Sequence, residues 1–287
     1  QVDPVVAPSC YPLPTGRRLA KKARPFLKWA GGKSRLIAEI VEFVPQDYER
    51  YVEPFLGGGA TFFALAPKSA FLSDSNPELM NCYGIVRDHP DELLQLLKAM
   101  PVSKAKFNQT RTLDPLTLGP TERAARFIYL NKLCYNGLYR VNKKGRFNTP
   151  YGNYRDVKLA DEEVVYAASD ALQSAELVTA DFEDNLLKHA RPEDFIYLDP
   201  PYPPVGVYSD FKRYTREFFD TKDHVRLAKV IYELDRRCCR FVLSNAEHPL
   251  ILELYSKFKI KYVQAPRFVN CKRDRRGNVS ELLVTNL

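Results

Sequence analysis

The sequence predicts an α/β protein with a doubly wound, mostly parallel sheet, interrupted by an inserted, mainly helical segment that carries a β-hairpin. Three observations point there. Short apolar runs with strand character alternate with segments of helical period, before about residue 80 and again after about residue 170. Between those positions the alternation is lost. Within that gap, VNKKGRFNTPYGNYR sets a KKG turn between short β-like flanks, as a hairpin would. The expected division is a flexible arm over 1–24, a sheet domain over 25–79 and 170–287, and an inserted domain over 80–169.

The elements follow in order. The opening stretch has four prolines before Thr15, and its basic residues follow its apolar ones, so it reads as an arm and not as a signal peptide. Ser34 to Val44 has helical spacing, with Ser34 as N-cap. Tyr51 to Phe55 reads as a strand, and Gly57 to Ala66 as a glycine turn opening a helix. Ser69 to Asn76 reads as a second strand ending on Asp74. Pro77 to Arg87, Pro90 to Met100 and Thr121 to Leu138 have helical period. Strand character returns at Ala175 to Phe182, Phe195 to Tyr202, Cys239 to Glu247 and Phe258 to Phe268. Helices at Thr221 to Arg237 and Pro249 to Lys257 separate the later ones.

Composition narrows the function classes. Apolar content of 45% and charged content of 27% are those of an ordinary globular protein, with no run long enough to span a bilayer. Six cysteines without a C-x-x-C pair, and only four histidines, argue against a zinc site; reduced thiols in a cytoplasm are the expectation. The net charge of +8 suits a polyanionic partner. Nine basic residues lie between Thr121 and Lys158 against only Glu122 and Asp156. Tyrosines, asparagines and turn glycines are interleaved with them, which fits a surface that grips phosphates and reads bases better than a solvated charged face.

Three motifs carry chemistry. VEPFLGGGATFF, Val52 to Phe63, combines strand, glycine turn and helix start, and the next strand ends on Asp74. Glycines let a backbone approach a nucleotide, and an acid at that position commonly holds a ribose diol. A structural turn followed by an N-capping Asp would look the same. PFLKWAGGKSRL, Pro25 to Leu36, places the only tryptophan, Trp29, before a small-residue turn and Lys33. It reads either as a loop closing over a cofactor or as a hydrophobic staple. In DFIYLDPPYPP, Asp194 to Pro204, a strand runs into an acid and then prolines, which cannot extend a ladder. Asp199 and the Pro200 carbonyl are two acceptors, suited to an exocyclic amino group with two protons to give; Tyr202 offers a flat ring beside them. A strand-terminating Asx turn is the alternative.

The order of PFLKWAGGK, VEPFLGGGA, an insertion and DPPY resembles that of the α group of DNA adenine-N6 methyltransferases. YLNKLCYNGLYRVN, GRFNTPYGNYR, the SNAEH segment and SELLVTN are similar to segments of its Dam-type, GATC-methylating members. The resemblance runs from about Pro25 to the C-terminus. It implies a Rossmann-like domain using S-adenosylmethionine, with 80–169 as the target-recognition domain. Trp29 and Lys33 would border the cofactor; Glu53, Pro54, Phe55 and the Gly57–Gly59 turn would cradle it; Asp74 would hold the ribose; Asp181 and Phe182 would lie near its adenine. Asp199, Pro200 and Tyr202 would receive a flipped target adenine, which displaces the sulfonium methyl directly and without a metal. Tyr135 would wedge into the base stack, Asn136 and Leu138 would touch neighbouring bases, and Arg140 would donate to a guanine. Pro150, Asn153 and Tyr154 would belong to the reading hairpin, and Lys143, Lys144 and Arg146 would bind phosphates. Asn153 stands where some relatives carry Arg. The resemblance also implies double-stranded DNA as partner, a companion restriction endonuclease in some members, and a bacterial cytoplasm, nucleoid or phage origin. The competing readings are another amino-methylating enzyme, acting on cytosine N4 or RNA, and an inactive DNA-binding relative; Asp at 199 and intact Lys33, Asp74 and Tyr202 favour the adenine enzyme.

Overall fold

A computed structural model of the chain describes residues 22–29, 36–142, 145–203, 219–266 and 278–287. The strands are β1 (Arg50–Glu53), β2 (Ala70–Asp74), β3 (Ala175–Thr179), β4 (Asp194–Leu198), β5 (Arg240–Ala246), β6 (Lys259–Pro266) and β7 (Asn278–Thr285). They form one sheet in the order β3-β2-β1-β4-β5-β7-β6. The first five are parallel; β7 runs antiparallel to both β5 and β6. Parallel neighbours need crossovers, and these are the helical segments that the alternating pattern predicts.

The helices are α1 (Ile37–Val41), α2 (Ala60–Leu65), α3 (Pro77–Asp88), α4 (Pro90–Ala99), α5 (Lys104–Thr112), α6 (Pro120–Leu133), α7 (Glu162–Leu172), α8 (Phe182–His189), α9 (Thr221–Arg236) and α10 (Pro249–Leu254). Both sheet faces are covered. Tyr51, Leu72, Phe195, Tyr197 and Val242 face a core shared with α2, α3 and the inserted helices α4, α6 and α7. Their chain neighbours Val52, Phe71, Ile196, Leu198 and Phe241 face the opposite core, with α8, α9 and α10. This two-residue period with apolar residues on both faces is that of a doubly covered parallel sheet. Among the described residues no helix is long and apolar enough to cross a membrane.

Several expected boundaries move. The helical period over Thr121 to Leu138 is broken: α6 ends at Leu133 and Tyr135–Gly137 form a separate 3-10 turn. The break has a local cause, since Asn136 and Gly137 both take left-handed backbone angles, φ 54° and 62°, incompatible with a continuing helix. The strand expected over Ala175 to Phe182 stops at Thr179; Asp181 instead caps α8, accepting from the Glu183 N–H at 3.0 Å, and Phe182 is its first helical residue. The last helix ends at Leu254 rather than Lys257. Four elements have no range in the pattern reading: α5, α7, α8 and β7. The expected hairpin is present as an isolated antiparallel bridge between Val141 and Phe147, with Asn142 N–H on Arg146 O at 2.8 Å and Asn148 N–H on Arg140 O at 3.0 Å. Ser34 and residues 1–21 of the expected arm lie outside the described residues.

Candidate active site

The topology concentrates the motif residues on one edge. β1, β2 and β3 step in one direction across the sheet, and β4 and β5 step in the other. The switch lies between β1 and β4, and ligands of doubly wound sheets bind outside the carboxyl ends of the strands at such a switch. The glycine turn follows β1, Asp74 ends β2, and Asp199 follows β4.

Gly57 holds φ 48°, a left-handed angle that glycine adopts without cost. Its N–H donates to Asp74 Oδ2 at 3.1 Å, and its carbonyl accepts from the Tyr83 hydroxyl at 3.0 Å. A Cβ here would sit 2.7 Å from Trp29 Nε1, so the turn and the indole touch directly. Gly59, also left-handed, is the N-cap of α2. Asp74 is not a helix cap, since Asn76 takes that role for α3; the Asp74 Oδ1 accepts from the Asn76 N–H at 2.9 Å. Burial pushes the Asp74 carboxyl up to about 6, against the lowering effect of those two N–H donors. Each of its oxygens has spare lone pairs for a hydroxyl, which fits a ribose diol. Glu53 is buried, accepts from the Tyr51 hydroxyl at 2.9 Å, and is raised well above the usual carboxylate range, chiefly by burial.

Trp29 stacks on Phe127 and Tyr139 of the insertion, with interplanar angles of 18° and 15°. The preceding residue is clamped by the fully buried Asn131 of α6: the Lys28 N–H donates to Asn131 Oδ1 at 2.9 Å, and Asn131 Nδ2 donates to Lys28 O at 2.6 Å and Gly137 O at 3.3 Å. Lys28 and Trp29 of the second motif are therefore pinned between the glycine turn and the insertion, and residues 30–35 lie outside the described residues. Lys33 lies outside the described residues.

Phe55 and Phe182 pack with ring centroids 5.3 Å apart, and Phe219 joins both. The Arg226 guanidinium lies 4.9 Å over the Phe182 ring and pairs with Asp181, Glu183 and Asp223 at 2.7–2.8 Å. Asp181 thus enters the site edge already paired.

At the DPPY motif, Asp199 is half-buried and Pro200 buried. Asp199 Oδ1 accepts from the Ser244 hydroxyl at 2.9 Å, and Ser244 Oγ lies 3.0 Å from the Tyr197 hydroxyl. The Tyr202 hydroxyl donates to Glu281 Oε2 on β7 at 2.8 Å. Ser244, Glu281, Tyr197 and Asn131 escaped the sequence reading. The signal for Tyr197 was its i, i+2 relation to Asp199, which puts both on one face of a strand; pairing with β7 is not visible in a local pattern.

On the insertion, Tyr135 is 51% exposed, and the Asn136 N–H donates to the Tyr154 hydroxyl at 2.6 Å. Lys28 Nζ sits 4.4 Å over the Tyr154 ring. The Leu138 carbonyl accepts from Thr149, the Pro150 carbonyl from the Tyr135 N–H at 2.9 Å, and Arg140 Nε donates to Asn148 Oδ1 at 2.8 Å. Arg146 and Asn153 are exposed, Asn153 with φ 53°. Lys143 and Lys144 lie outside the described residues. Part of the basic run is committed within the fold. Arg123 pairs with Glu78, Arg126 is buried and donates to Thr110 O, Lys132 donates to Lys158 O and Leu159 O, and Lys158 pairs with Asp161.

Known proteins resemble the chain along nearly its whole length. The family model for the D12 class N6 adenine-specific DNA methyltransferases matches residues 29–268. The type II methyltransferase M1.LlaDCHI of Lactococcus lactis subsp. cremoris is 41% identical, covering 92% of this chain and 95% of that protein. The type II methyltransferase M.MjaIII of Methanocaldococcus jannaschii is 39% identical over 92% and 99% of the two chains. The DNA adenine methylase of Escherichia coli K12 is 33% identical over 92% and 95%. With the site geometry above, these matches establish that the chain belongs to the D12 class of N6 adenine-specific DNA methyltransferases, enzymes that use S-adenosylmethionine.

Proposed function

We propose that the protein methylates adenine N6 within GATC in duplex DNA, taking the target base out of the helix and into the edge between β1 and β4. One observation carries the chemical part: Asp199 stands at the strand-order switch with its carboxylate held by Ser244, beside Tyr202 braced on Glu281. Bound there, S-adenosylmethionine supplies a methyl group activated by its sulfonium. In this reading Asp74 accepts the ribose hydroxyls, the Gly57–Gly59 turn and Glu53 line the cofactor, and Trp29 and Lys33 border it. Phe55 and Phe182 offer an apolar wall for its adenine, next to Asp181.

The adenine amino nitrogen is a weak nucleophile because its lone pair is conjugated into the ring. Asp199 and the Pro200 carbonyl accept hydrogen bonds from its two N–H groups, orienting the lone pair out of the ring plane toward the methyl group; the nitrogen bonds to that carbon as the sulfonium C–S bond breaks, and one N–H proton leaves after or during the transfer. A carboxylate is far too weak a base to deprotonate an amine of this kind beforehand, so the gain is positioning and electrostatics. Tyr202 stacks on the base and offsets part of the few kcal/mol that unstacking costs.

Residues 80–169 act as the target-recognition domain, attached to a sheet domain of 25–79 and 170–287. Tyr135, exposed at the tip of its turn, fills the vacated stack. Asn136, Leu138 and Arg140 read bases, and Pro150, Asn153 and Tyr154 hold the other strand of the hairpin to them. Arg146, with Lys143 and Lys144, binds phosphates. The GATC assignment is supported by the similarity of YLNKLCYNGLYRVN and GRFNTPYGNYR to Dam-type segments. A different target is the second reading, because Asn153 replaces an Arg of some relatives and the relatives include enzymes named as type II methyltransferases. That naming also supports a companion endonuclease cutting the same site.

Methyl transfer from labelled S-adenosylmethionine to duplexes with and without GATC, followed by nucleoside mass spectrometry, tests this. N6-methyladenine confined to the GATC duplex is the expected result. N6-methyladenine spread over other sequences would discard the target, and N4-methylcytosine would discard the chemistry.

A further inference from the structure

We infer that Tyr197 and Ser244 form a one-directional hydrogen-bond relay that fixes the carboxylate of Asp199, which makes Ser244 a positioning residue for methyl transfer. The inference rests on Asp199 being the acceptor of the target amino group.

The two relay residues belong to neighbouring strands. Leu198 pairs with Leu243 in the β4–β5 register, so Ser244 emerges beside Asp199 just past the end of β4. Tyr197 is two residues before Asp199 and shares its face of the sheet. Tyr197 and Ser244 are 1% and 0% exposed, so water does not compete for these groups. The distances are 3.0 Å from the Tyr197 hydroxyl to Ser244 Oγ and 2.9 Å from Ser244 Oγ to Asp199 Oδ1.

The direction of the donors follows from the ends. A carboxylate only accepts, so Asp199 takes the single proton of Ser244. Ser244 Oγ is then left with lone pairs, and the Tyr197 phenol gives its proton to them. Burial holds that phenol far above the usual tyrosine range, so it has a proton to give. The chain of hydroxyls therefore begins on β4, crosses to β5 and ends on Asp199.

Two consequences follow. The donor to Asp199 is charge-assisted, the stronger class of hydrogen bond. It fixes the carboxylate from the protein side before any base arrives, so the face turned to substrate is preset. Ser244 has another acceptor in reach, the Leu198 carbonyl at 3.4 Å, which is the longer and weaker choice. Tyr197 occupies the Ser244 oxygen and leaves the serine proton for Asp199.

The test uses the purified full chain, S-adenosylmethionine and a duplex that the wild type methylates. Ser244→Ala is expected to lower kcat about 10- to 100-fold, the range of a lost charge-assisted hydrogen bond. KM for both substrates stays within about twofold, since neither is held by Ser244. Ser244→Thr keeps the hydroxyl and recovers most of kcat. Tyr197→Phe loses less than Ser244→Ala because the serine proton remains. Wild-type kcat in Ser244→Ala, equal losses in Ser244→Ala and Ser244→Thr, or a change in KM alone would each overturn the relay. Asp199→Ala separates the two levels. If it still transfers methyl groups, the role of Asp199 falls and the relay with it. If it is inactive while Ser244→Ala is fully active, the relay alone falls.

Discussion

The carboxylates at the sheet edge and the turn of the insertion proposed to read bases are held in opposite ways. Glu53, Asp74 and Asp199 each accept from donors that belong to the fold: a buried phenol, two main-chain N–H groups and a buried serine. Their partners sit on regular strands or immediately after them. The reading turn has no strand beneath it. Tyr135 to Gly137 is one 3-10 turn with left-handed residues, tied to a hairpin by isolated bridges, and Tyr135 stands half in solvent. Chemistry is preorganised where reorganisation would slow the reaction. On the proposed function, reading falls where side chains can still adjust to DNA. Trp29 and Lys28 join the two, one stacked on insertion aromatics against the glycine turn, the other clamped by Asn131.

The largest effect expected from this difference is on cofactor binding. Asp74→Ala removes the proposed ribose acceptor and the anchor of the Gly57 N–H together, and S-adenosylmethionine affinity should drop roughly 10²- to 10⁴-fold by calorimetry, about 3–6 kcal/mol, as two charge-assisted bonds imply. A pH dependence follows as well. Burial raises the Asp74 carboxyl to about 6, so it is mostly ionised at pH 7 and loses its charge as pH falls through 6. Cofactor affinity should therefore weaken on acidification from pH 7 to 5, approaching about tenfold per unit at the acid end. Asp74→Asn, which cannot titrate, should flatten that dependence. An unchanged wild-type affinity between pH 7 and 5 would mean that the sheet-edge acid is not what holds the ribose.

Much of the sheet edge was legible in the sequence because its signals are local. A strand that meets glycines, an acid or prolines announces where it stops: β1 and β2 end within a residue or two of the expected places, and β4 ends at Leu198, directly before the acid and prolines and four residues short of Tyr202. What was not legible depends on contacts between distant segments. Glu281 reaches Tyr202 only because β7 returns antiparallel beside β5, and Asn131 reaches Lys28 across 103 residues. Charge counting misled in the same way. Arg123, Arg126 and Lys132 belong to a basic run, yet their partners are Glu78, a carbonyl of α5 and two carbonyls near Leu159. Helical period over Thr121 to Leu138 continued past the true end of α6 because apolar spacing does not register the backbone angle of Asn136.

The clamp between the two regions provides the next effect. Asn131→Leu keeps volume in a buried position but leaves the Lys28 N–H, the Lys28 carbonyl and the Gly137 carbonyl without their amide partner. Stranded polar groups cost more than a hydrogen bond contributes, so a loss of about 2–4 kcal/mol in chemical denaturation is expected. Asn131→Asp retains the acceptor for Lys28 N–H and turns the donor toward two carbonyls into an acceptor, so it should be at least as damaging. A loss below about 1 kcal/mol in both variants would show that Trp29 stacking alone fixes this segment.

The smallest effect in energy tests the reading turn itself. Arg140 has its Nε committed to Asn148 at 2.8 Å, which sets the plane of the guanidinium and leaves the terminal nitrogens as the edge proposed to meet a base. Arg140→Ala should therefore relax discrimination at one guanine of the target by about 1–3 kcal/mol, read as the ratio of kcat/KM between the matched duplex and one substituted at that position. Asn148→Ala keeps the arginine and removes only its support, so it should produce a fraction of that loss at the same base pair. The two variants also separate two kinds of contact. A base contact changes the ratio between duplexes and leaves the salt dependence of binding nearly intact; a phosphate contact weakens every duplex alike and lowers the salt slope by about one. If Arg140→Ala follows the second pattern, the arginine grips the backbone, and the turn reads through Asn136 and Leu138 alone.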